Sequence, residues 1–460
     1  MKKLLLVLLL VTAFSCAEKE EKKEATYALF SGTITNTEAT VAVISGPDFK
    51  KQMSIDPETG IFSDTLYLPK SGYYQFACGE YSTIYLENGY ELDMTIDAKE
   101  FDESISYTGI GSEENNYLAT KFMDNEKMQG SIPELYSLNE EEFKAKVESI
   151  KANHKSKLDA TVMSNTVFAA NETQNLTYEA FVLYNRYESY HKSVTKNPEF
   201  KVSENFLPKE LEALEFNDAA LYDTSSGYRD LAMNKSLDDL FSNMEDFQSA
   251  SPSELATIGD VSIPELKNEI ISNYGTMFVS PGNPNMEANY RFLESETTSE
   301  TTKQSLSVAY ERGLTLRPGQ PSPEFINYEN HKGGETSLAD LRGKYVYVDV
   351  WATWCGPCIR EIPSLKEVEA KYHDSNIAFV STSIDQARDH DKWVAMVNDK
   401  QLGGTQLMAD NDWQSKFVRD YGIEGIPRFI LIDPDGNIVS ADAPRPSNPK
   451  LVEMLDGLNM

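Results

Sequence analysis

The spacing of apolar and polar residues along this chain changes rhythm twice, and each change marks a boundary. Over residues 25–110, short runs rich in Thr, Val, Ile and Tyr are broken by turn residues such as Asp56-Pro57-Glu58-Thr59-Gly60. That is the grammar of short strands, and it predicts a small antiparallel β domain. Thr83–Glu87 and Tyr90–Ile96 flank Asn88-Gly89, a pair favoured in type I′ turns because both positions need positive φ, so a tight hairpin is expected there. Over 111–316 the rhythm becomes helical: Glu141–Leu158, Tyr178–Val194, Lys209–Leu221 and Thr301–Leu314 repeat apolar residues three and four apart. The stripe Tyr178, Phe181, Val182, Tyr184 and Tyr187 is read as core, since aromatic stripes at helical spacing are far more often packed than ligand-binding. No fixed repeat period is visible, so the region is expected to be an irregular bundle or a stack of helix pairs.

Residues 317–323 (RPGQPSP) hold three prolines in seven positions, the composition of an extended linker. Beyond it the pattern alternates. Strands are predicted at Tyr345–Trp351, Asn376–Ile384 and Arg428–Ile432, and helices at Ile359–His373, Lys392–Asp399 and Pro449–Leu458. The turn Asp433-Pro434-Asp435-Gly436 returns the last strand as a hairpin through Asn437–Ser440. Strands alternating with helices and ending in a hairpin imply an α/β domain with a mixed sheet over 319–460. The expected fold class is therefore multidomain, with an N-terminal β domain, a helical middle and a C-terminal α/β domain.

The first residues belong to none of these. Lys2 and Lys3 precede the apolar run Leu4–Phe14, which falls short of the about 20 apolar residues a membrane span needs, so 1–15 read as a signal peptide. Cys16 and a polar tract follow, and 16–24 read as a tether. No later segment is apolar enough to cross a membrane. With 73 acidic and 42 basic residues the formal charge is −31, which opposes charge-driven binding to nucleic acid or anionic lipid. Of four cysteines, only Cys78, Cys355 and Cys358 remain once Cys16 is set aside, so no disulfide scaffold is expected. Cys78 is read as a small buried side chain, with disulfide exchange toward the distant pair as the alternative.

Cys355-Gly356-Pro357-Cys358 lies where a predicted strand gives way to a predicted helix. A thiol at a helix N-terminus faces unpaired N–H groups and the positive end of the dipole, which favour its thiolate. Cys355 is thus the candidate nucleophile. Pro357 suits the first turn, and the two-residue spacing lets Cys358 close a disulfide as the resolving thiol. A base near Cys358 would help it attack, and two carboxylates are candidates. Asp349 interrupts an apolar strand, where a charge is costly without a role, although an edge Asp reaching water is the blander reading. Glu361 lies three residues beyond Cys358 on the same helical face, and a solvated surface residue is its blander reading. CxxC is also half of a zinc site, but no second pair has useful spacing and His331, His373 and His390 are scattered. Neither metal nor cofactor is expected.

These motifs carry resemblances. Ala13-Phe14-Ser15-Cys16 resembles a bacterial lipobox, which implies a lipid on Cys16 and a place in the cell envelope. The acid-rich tract Glu18–Glu24 is similar to export signals of some Bacteroidetes surface lipoproteins, so either a periplasmic or a surface position is open. The β domain resembles, in length and order, the domain of unknown function that precedes thioredoxin-like domains in many Bacteroidetes lipoproteins. WATWCGPC, with Asp349 upstream and Glu361 and Pro363 downstream in CIREIP, resembles the thioredoxin superfamily, in particular the TlpA and ResA type. Gly319–Phe325 and the leading hairpin Gly333–Lys344 agree, and the resemblance covers Gly319 to Met460.

The resemblance implies a redox-active Cys355–Cys358 disulfide and a cis bond at Ile426-Pro427. It also implies that Trp354, Gly356, Pro357, Ile426 and Pro427 meet substrate. Proteins of the ResA kind often lack an acid at the position of Asp349, so this chain combines both candidate bases. The expected function is an envelope thiol-disulfide oxidoreductase that reduces protein disulfides, working with protein thiols and an unidentified electron donor. The alternatives are a disulfide oxidase or isomerase on the same fold, or a lipoprotein binding module that uses the fold as a scaffold. A peroxiredoxin is excluded because Thr353 is two residues before Cys355, not three, and Val348 stands where proline is required.

Overall fold

The computed structural model describes residues 25–460 apart from 47, 48, 243 and 245. The expected signal peptide, Cys16 and the tether lie outside the described residues. Two compact units form: one gathers the chain up to Ala213 with Asp223–Tyr228, the other Leu214–Tyr222 with Arg229–Met460.

In the first unit the strands are β1 (Ala28–Thr35), β2 (Val41–Gly46), β3 (Phe49–Ser54), β4 (Ile61–Leu66), β5 (Gly72–Cys78), β6 (Glu80–Leu86), β7 (Glu91–Asp97) and β8 (Ser106–Ile110). They form two four-stranded sheets, ordered β4-β1-β7-β8 and β3-β2-β5-β6. The sheets face one another through Phe30, Phe62 and Phe76, with ring centroids 5.3 to 6.1 Å apart. All pairs are antiparallel except β1 with β7, which run parallel.

The hairpin expected around Asn88-Gly89 does not form, because β6 and β7 lie in different sheets. Only Gly89 of the pair has positive φ, 102°. The Asn88 amide instead exchanges two hydrogen bonds with the Leu68 backbone, at 3.2 and 3.0 Å, and the turn carries the chain from one sheet to the other. Cys78 is buried, and burial raises its thiol pKa against a small opposing effect of Thr37.

Helices Glu140–Ala160 and Thr166–Thr195 follow the expected patterns, and the whole aromatic stripe from Tyr178 to Tyr187 is buried. Lys209–Leu221 is not one helix. It breaks into Lys209–Glu212 and Ala219–Thr224, because the Asp218 carboxylate accepts the Leu221 N–H at 3.0 Å and starts the second piece afresh.

In the second unit, helices Pro264–Phe278, Met286–Glu296 and Glu300–Thr315 pack on one another, with the buried Leu293 and Leu306 side chains meeting at Gly275. Leu316, which follows them, is part of the α/β core. The Pro-rich stretch is paired: Gly319 donates to the Ile438 carbonyl at 2.7 Å and Ser322 to that of Gly436 at 3.0 Å. Here the strands are β9 (Tyr328–Asn330), β10 (Glu335–Thr336), β11 (Tyr345–Trp351), β12 (Ile377–Ser383), β13 (Thr405–Met408), β14 (Arg428–Ile432) and β15 (Ile438–Ser440).

They form one mixed sheet, ordered β10-β9-β13-β12-β11-β14-β15. The leading hairpin sits at 328–336, earlier than the Gly333–Lys344 expected. Strand β11 lies between parallel β12 and antiparallel β14, which accounts for its nearly unbroken apolar sequence. Because side chains alternate along a strand, Val348 and Val350 face one layer with Trp393, and Tyr347 faces the other with Leu365 and Leu451.

Candidate active site

Strand β11 ends at Trp351, and the helix Gly356–Lys371 begins five residues later. Cys355 is the N-cap of that helix and Pro357 lies in its first turn. The Cys355 sulfur accepts the N–H of Cys358 at 3.1 Å, which is how a helix N-terminus holds a sulfur with negative character. Cys355 and Cys358 are joined in a disulfide with a Cα–Cα distance of 5.3 Å. Both are 4 % exposed, whereas Trp354 beside them is 56 % exposed. Gly356 and Pro357 are exposed as well, so the pair sits just beneath an open rim.

The loop before Cys355 is fastened by a residue that sequence reasoning missed. Asp385, 1 % exposed, follows β12. Its carboxylate accepts the Thr353 N–H at 2.9 and 3.2 Å, the Thr353 hydroxyl at 2.7 Å and the Ser383 hydroxyl at 2.6 Å. A buried carboxylate so satisfied locks the loop, and the signal for it was an acid directly after a strand with the polar end STS.

On the opposite rim the Ile426-Pro427 bond is cis. The Ile426 carbonyl oxygen lies 3.8 Å from the Cys355 sulfur. Gly425 next to it is exposed, and a side chain there would meet nothing within 4 Å, so the backbone beside the cis bond is open to an incoming chain. The structure therefore brings Cys355, Trp354, Gly356, Pro357, Ile426 and Pro427 together at one surface.

Behind the disulfide lies a cavity of about 10 Å³ whose lining includes Cys358, Asp349, Trp351, Glu369, Ser381 and Gln406. Asp349 is 8 % exposed. Burial pushes its carboxyl up to about 7; Ser381 hydrogen bonding opposes this, while the charges of Glu361 and Glu369 add to it. Glu361 itself is not brought to the cavity. Its carboxylate accepts the N–H and hydroxyl of Ser447, at 3.0 and 2.9 Å. Glu369 was missed in the sequence, although Cys358, Ile362, Leu365 and Glu369 recur at helical spacing and share one face.

Comparison with known proteins agrees with this geometry. Residues 317–455 match the Redoxin family. Over 124 residues the chain is 30% identical to the thiol-disulfide oxidoreductase ResA of Bacillus thuringiensis (strain Al Hakam), an alignment covering 27% of this chain and 68% of that protein. ResA of Bacillus anthracis gives the same figures, 30% over 124 residues with 27% and 68% covered. Among solved structures, the thioredoxin domain of a thiol-disulfide oxidoreductase from Bacteroides vulgatus is similar at 29% identity. It covers 31% of this chain and 96% of its own, with a TM-score of 0.28.

Proposed function

Since the chain belongs to the ResA/TlpA-like thiol-disulfide oxidoreductases of the thioredoxin superfamily, we propose that it reduces protein disulfides in the bacterial cell envelope through Cys355 and Cys358. In the reduced state the Cys355 thiolate attacks a substrate disulfide and forms a mixed disulfide. Cys358 then attacks Cys355, and the substrate leaves as a dithiol. Of the two carboxylates, Asp349 is assigned as the base that takes the Cys358 proton. The observation that carries this reading is its place: a buried acid raised to about 7, on the same small cavity as the buried resolving thiol. An acid that titrates near neutral pH is matched to general-base work at that pH.

Trp354 and the backbone at Ile426-Pro427 border the nucleophile and would meet an extended substrate segment. The neutral Gly356-Pro357 dipeptide between the cysteines supports the reducing direction. Lys2 to Cys16 supports export and a lipid on Cys16, and among the described residues no helix is long and apolar enough to cross a membrane. These features support a place in the cell envelope, facing the periplasm or the surface, and the reducing direction requires an electron donor.

The direction is tested by the reduction potential of the Cys355–Cys358 pair, measured by equilibrating the full chain with a defined thiol buffer and trapping free thiols. A value near roughly −270 mV, as for thioredoxin, is expected of a reductase that needs an electron supply. A value toward roughly −120 mV would reverse the direction and make the protein a disulfide donor.

A further inference from the structure

Two carboxylates, not one, line the cavity behind Cys358. Asp349 enters from β11, and Glu369 enters from the helix that begins at Cys355, eleven residues beyond Cys358. The cavity, about 10 Å³, is close to the smallest that holds one water molecule. Its walls offer what such a molecule needs. The Trp351 indole N–H and the Gln406 side-chain oxygen are buried and have no hydrogen-bond partner among the described residues. Gln406 is 4 % exposed, and its own amide nitrogen is held at 2.8 Å by the Gly403 carbonyl, which fixes the direction of the free oxygen. A buried donor and a buried acceptor left unpaired in a polar cavity are costly unless water satisfies them.

Glu369 stands on the wall of this cavity and is itself partly exposed to solvent. Its carboxylate lies against Gly403 and Gly404. A Cβ at Gly403 would overlap Glu369 Oε2, and one at Gly404, where φ is +61°, would sit 3.1 Å from Oε1. The glycine pair thus leaves the space that this carboxylate fills. Lys366, also on the cavity wall, and Lys332, which donates to the Gly404 carbonyl at 3.2 Å, are near enough for their charges to act on it. Burial holds the Glu369 carboxyl above its ordinary value, while the charges of Lys366 and Lys332 pull the other way.

We propose that Glu369 is a positioning residue for the resolving step: the proton that Asp349 takes from the Cys358 thiol leaves across this cavity through the Glu369 carboxylate to solvent. The inference rests on the assignment of Asp349 as the base. In the step, the Cys358 S–H bond breaks and an O–H bond forms on Asp349. The Cys358 sulfur bonds to that of Cys355, and the substrate thiolate departs. The dithiol loses two electrons and the substrate disulfide gains them. Asp349 then passes its proton outward and is again a carboxylate.

The groups facing Asp349 are few enough to make the test specific. They are Cys358, Glu369, Lys366 and, through its charge, Glu361 from the helix, Ser381 from β12, Gln406 from β13 and Tyr347 on its own strand. Removing the charge of Glu369 removes a repulsion on ionised Asp349, so the base should ionise at lower pH.

The experiment is the pH profile of the reaction of the reduced full chain with a disulfide-bonded peptide. Formation of the mixed disulfide is read in a Cys358→Ser background and product release in the intact dithiol. For Glu369→Gln, mixed-disulfide formation should be unchanged, the midpoint of product release should fall by on the order of half a pH unit, and its plateau rate should fall several-fold because the proton has lost its exit. Glu361→Gln, which also lowers the midpoint through its charge, should leave the plateau rate unchanged. Glu369→Asp should return the midpoint toward that of the unmodified chain. A plateau rate of product release in Glu369→Gln equal to that of the unmodified chain overturns the inference, whatever the midpoint does. Asp349→Asn separates the two ideas. If it abolishes the midpoint while Glu369→Gln leaves the plateau rate of product release unchanged, only the role of Glu369 falls. If Asp349→Asn itself keeps the midpoint, the base assignment fails and the role of Glu369 falls with it.

Discussion

Two of this protein's buried carboxylates, Glu172 in the first unit and Asp349 in the second, are treated in opposite ways. In the first unit Glu172 is 0 % exposed and fully partnered. Lys121 Nζ lies 2.5 Å from it, the hydroxyls of Tyr73 and Tyr117 donate at 2.7 and 3.3 Å, and Asn175 donates at 3.2 Å. Lys121 also pairs with Glu179 at 2.7 Å. Burial alone would lower the Lys121 pKa, but the two glutamates more than offset it and the lysine stays charged. In the second unit Asp349 has no cation among the groups that shift it, and burial leaves it ready to exchange a proton near neutral pH. A buried charge with every bond satisfied specifies a core, whereas one left half-satisfied beside a reactive sulfur can do chemistry.

That contrast can be broken from either side. The largest effect is expected from Cys355→Ser, which should abolish disulfide reduction and leave both cores intact, as assayed by turnover alongside circular dichroism.

Lys121→Met leaves Glu172 buried without its cation and should destabilise the first unit by about 3 to 5 kcal/mol. Hydrogen exchange over 25–213 would read this loss. All four tryptophans, Trp351, Trp354, Trp393 and Trp413, lie in 317–460, so the tryptophan-detected transition provides a separate control.

Asp349→Asn should do the reverse of Lys121→Met by stabilising its unit. The folded value, about 7, stands above the ordinary 3.8, so the contribution of protonated Asp349 is complete below about pH 4 and is lost as pH rises through about 7. The asparagine variant avoids that loss and should gain about 4 kcal/mol at pH 8 and almost nothing at pH 4, as read by tryptophan-detected denaturation. The same variant should slow resolution by about 10²-fold or more while sparing the first attack. Glu361→Gln should have the smallest effect on stability, less than about 1 kcal/mol from weakened bonds to Ser447, and it should lower the pH midpoint at least as far as Glu369→Gln does, because its charge weighs more on Asp349.

How much of this was legible in the sequence varied with how local the cause was. Cys355-Gly356-Pro357-Cys358, the apolar run of β11 and the helix after it are local signals, and the structure places them where the pattern put them. Asn88-Gly89 misled because its turn preference is local, but the sheet to which the next strand belongs is decided by pairing with β1, some sixty residues earlier. Strand β13 is only four residues long and follows two glycines, so it carried too little periodicity to be seen, although it pairs with β12 inside the sheet. Asp385 and Glu369 act on the site through folding alone. One is 30 residues beyond Cys355 and the other three helical turns away, and nothing in their immediate neighbours announces a thiol. Of the two candidate bases, spacing could not choose between them. The choice came from the strand's alternation, which turns Asp349 into the cavity, and from Ser447, which occupies Glu361.

The most direct test of the account is to incubate the reduced Cys358→Ser full chain with a disulfide-bonded protein and measure covalent complex on non-reducing gels. The account predicts a one-to-one adduct through Cys355 that thiol reductant dissolves and that Cys355→Ser cannot form. An equal yield of adduct from the Cys355→Ser chain, or no adduct from Cys358→Ser at any substrate concentration, would contradict dithiol exchange at this site.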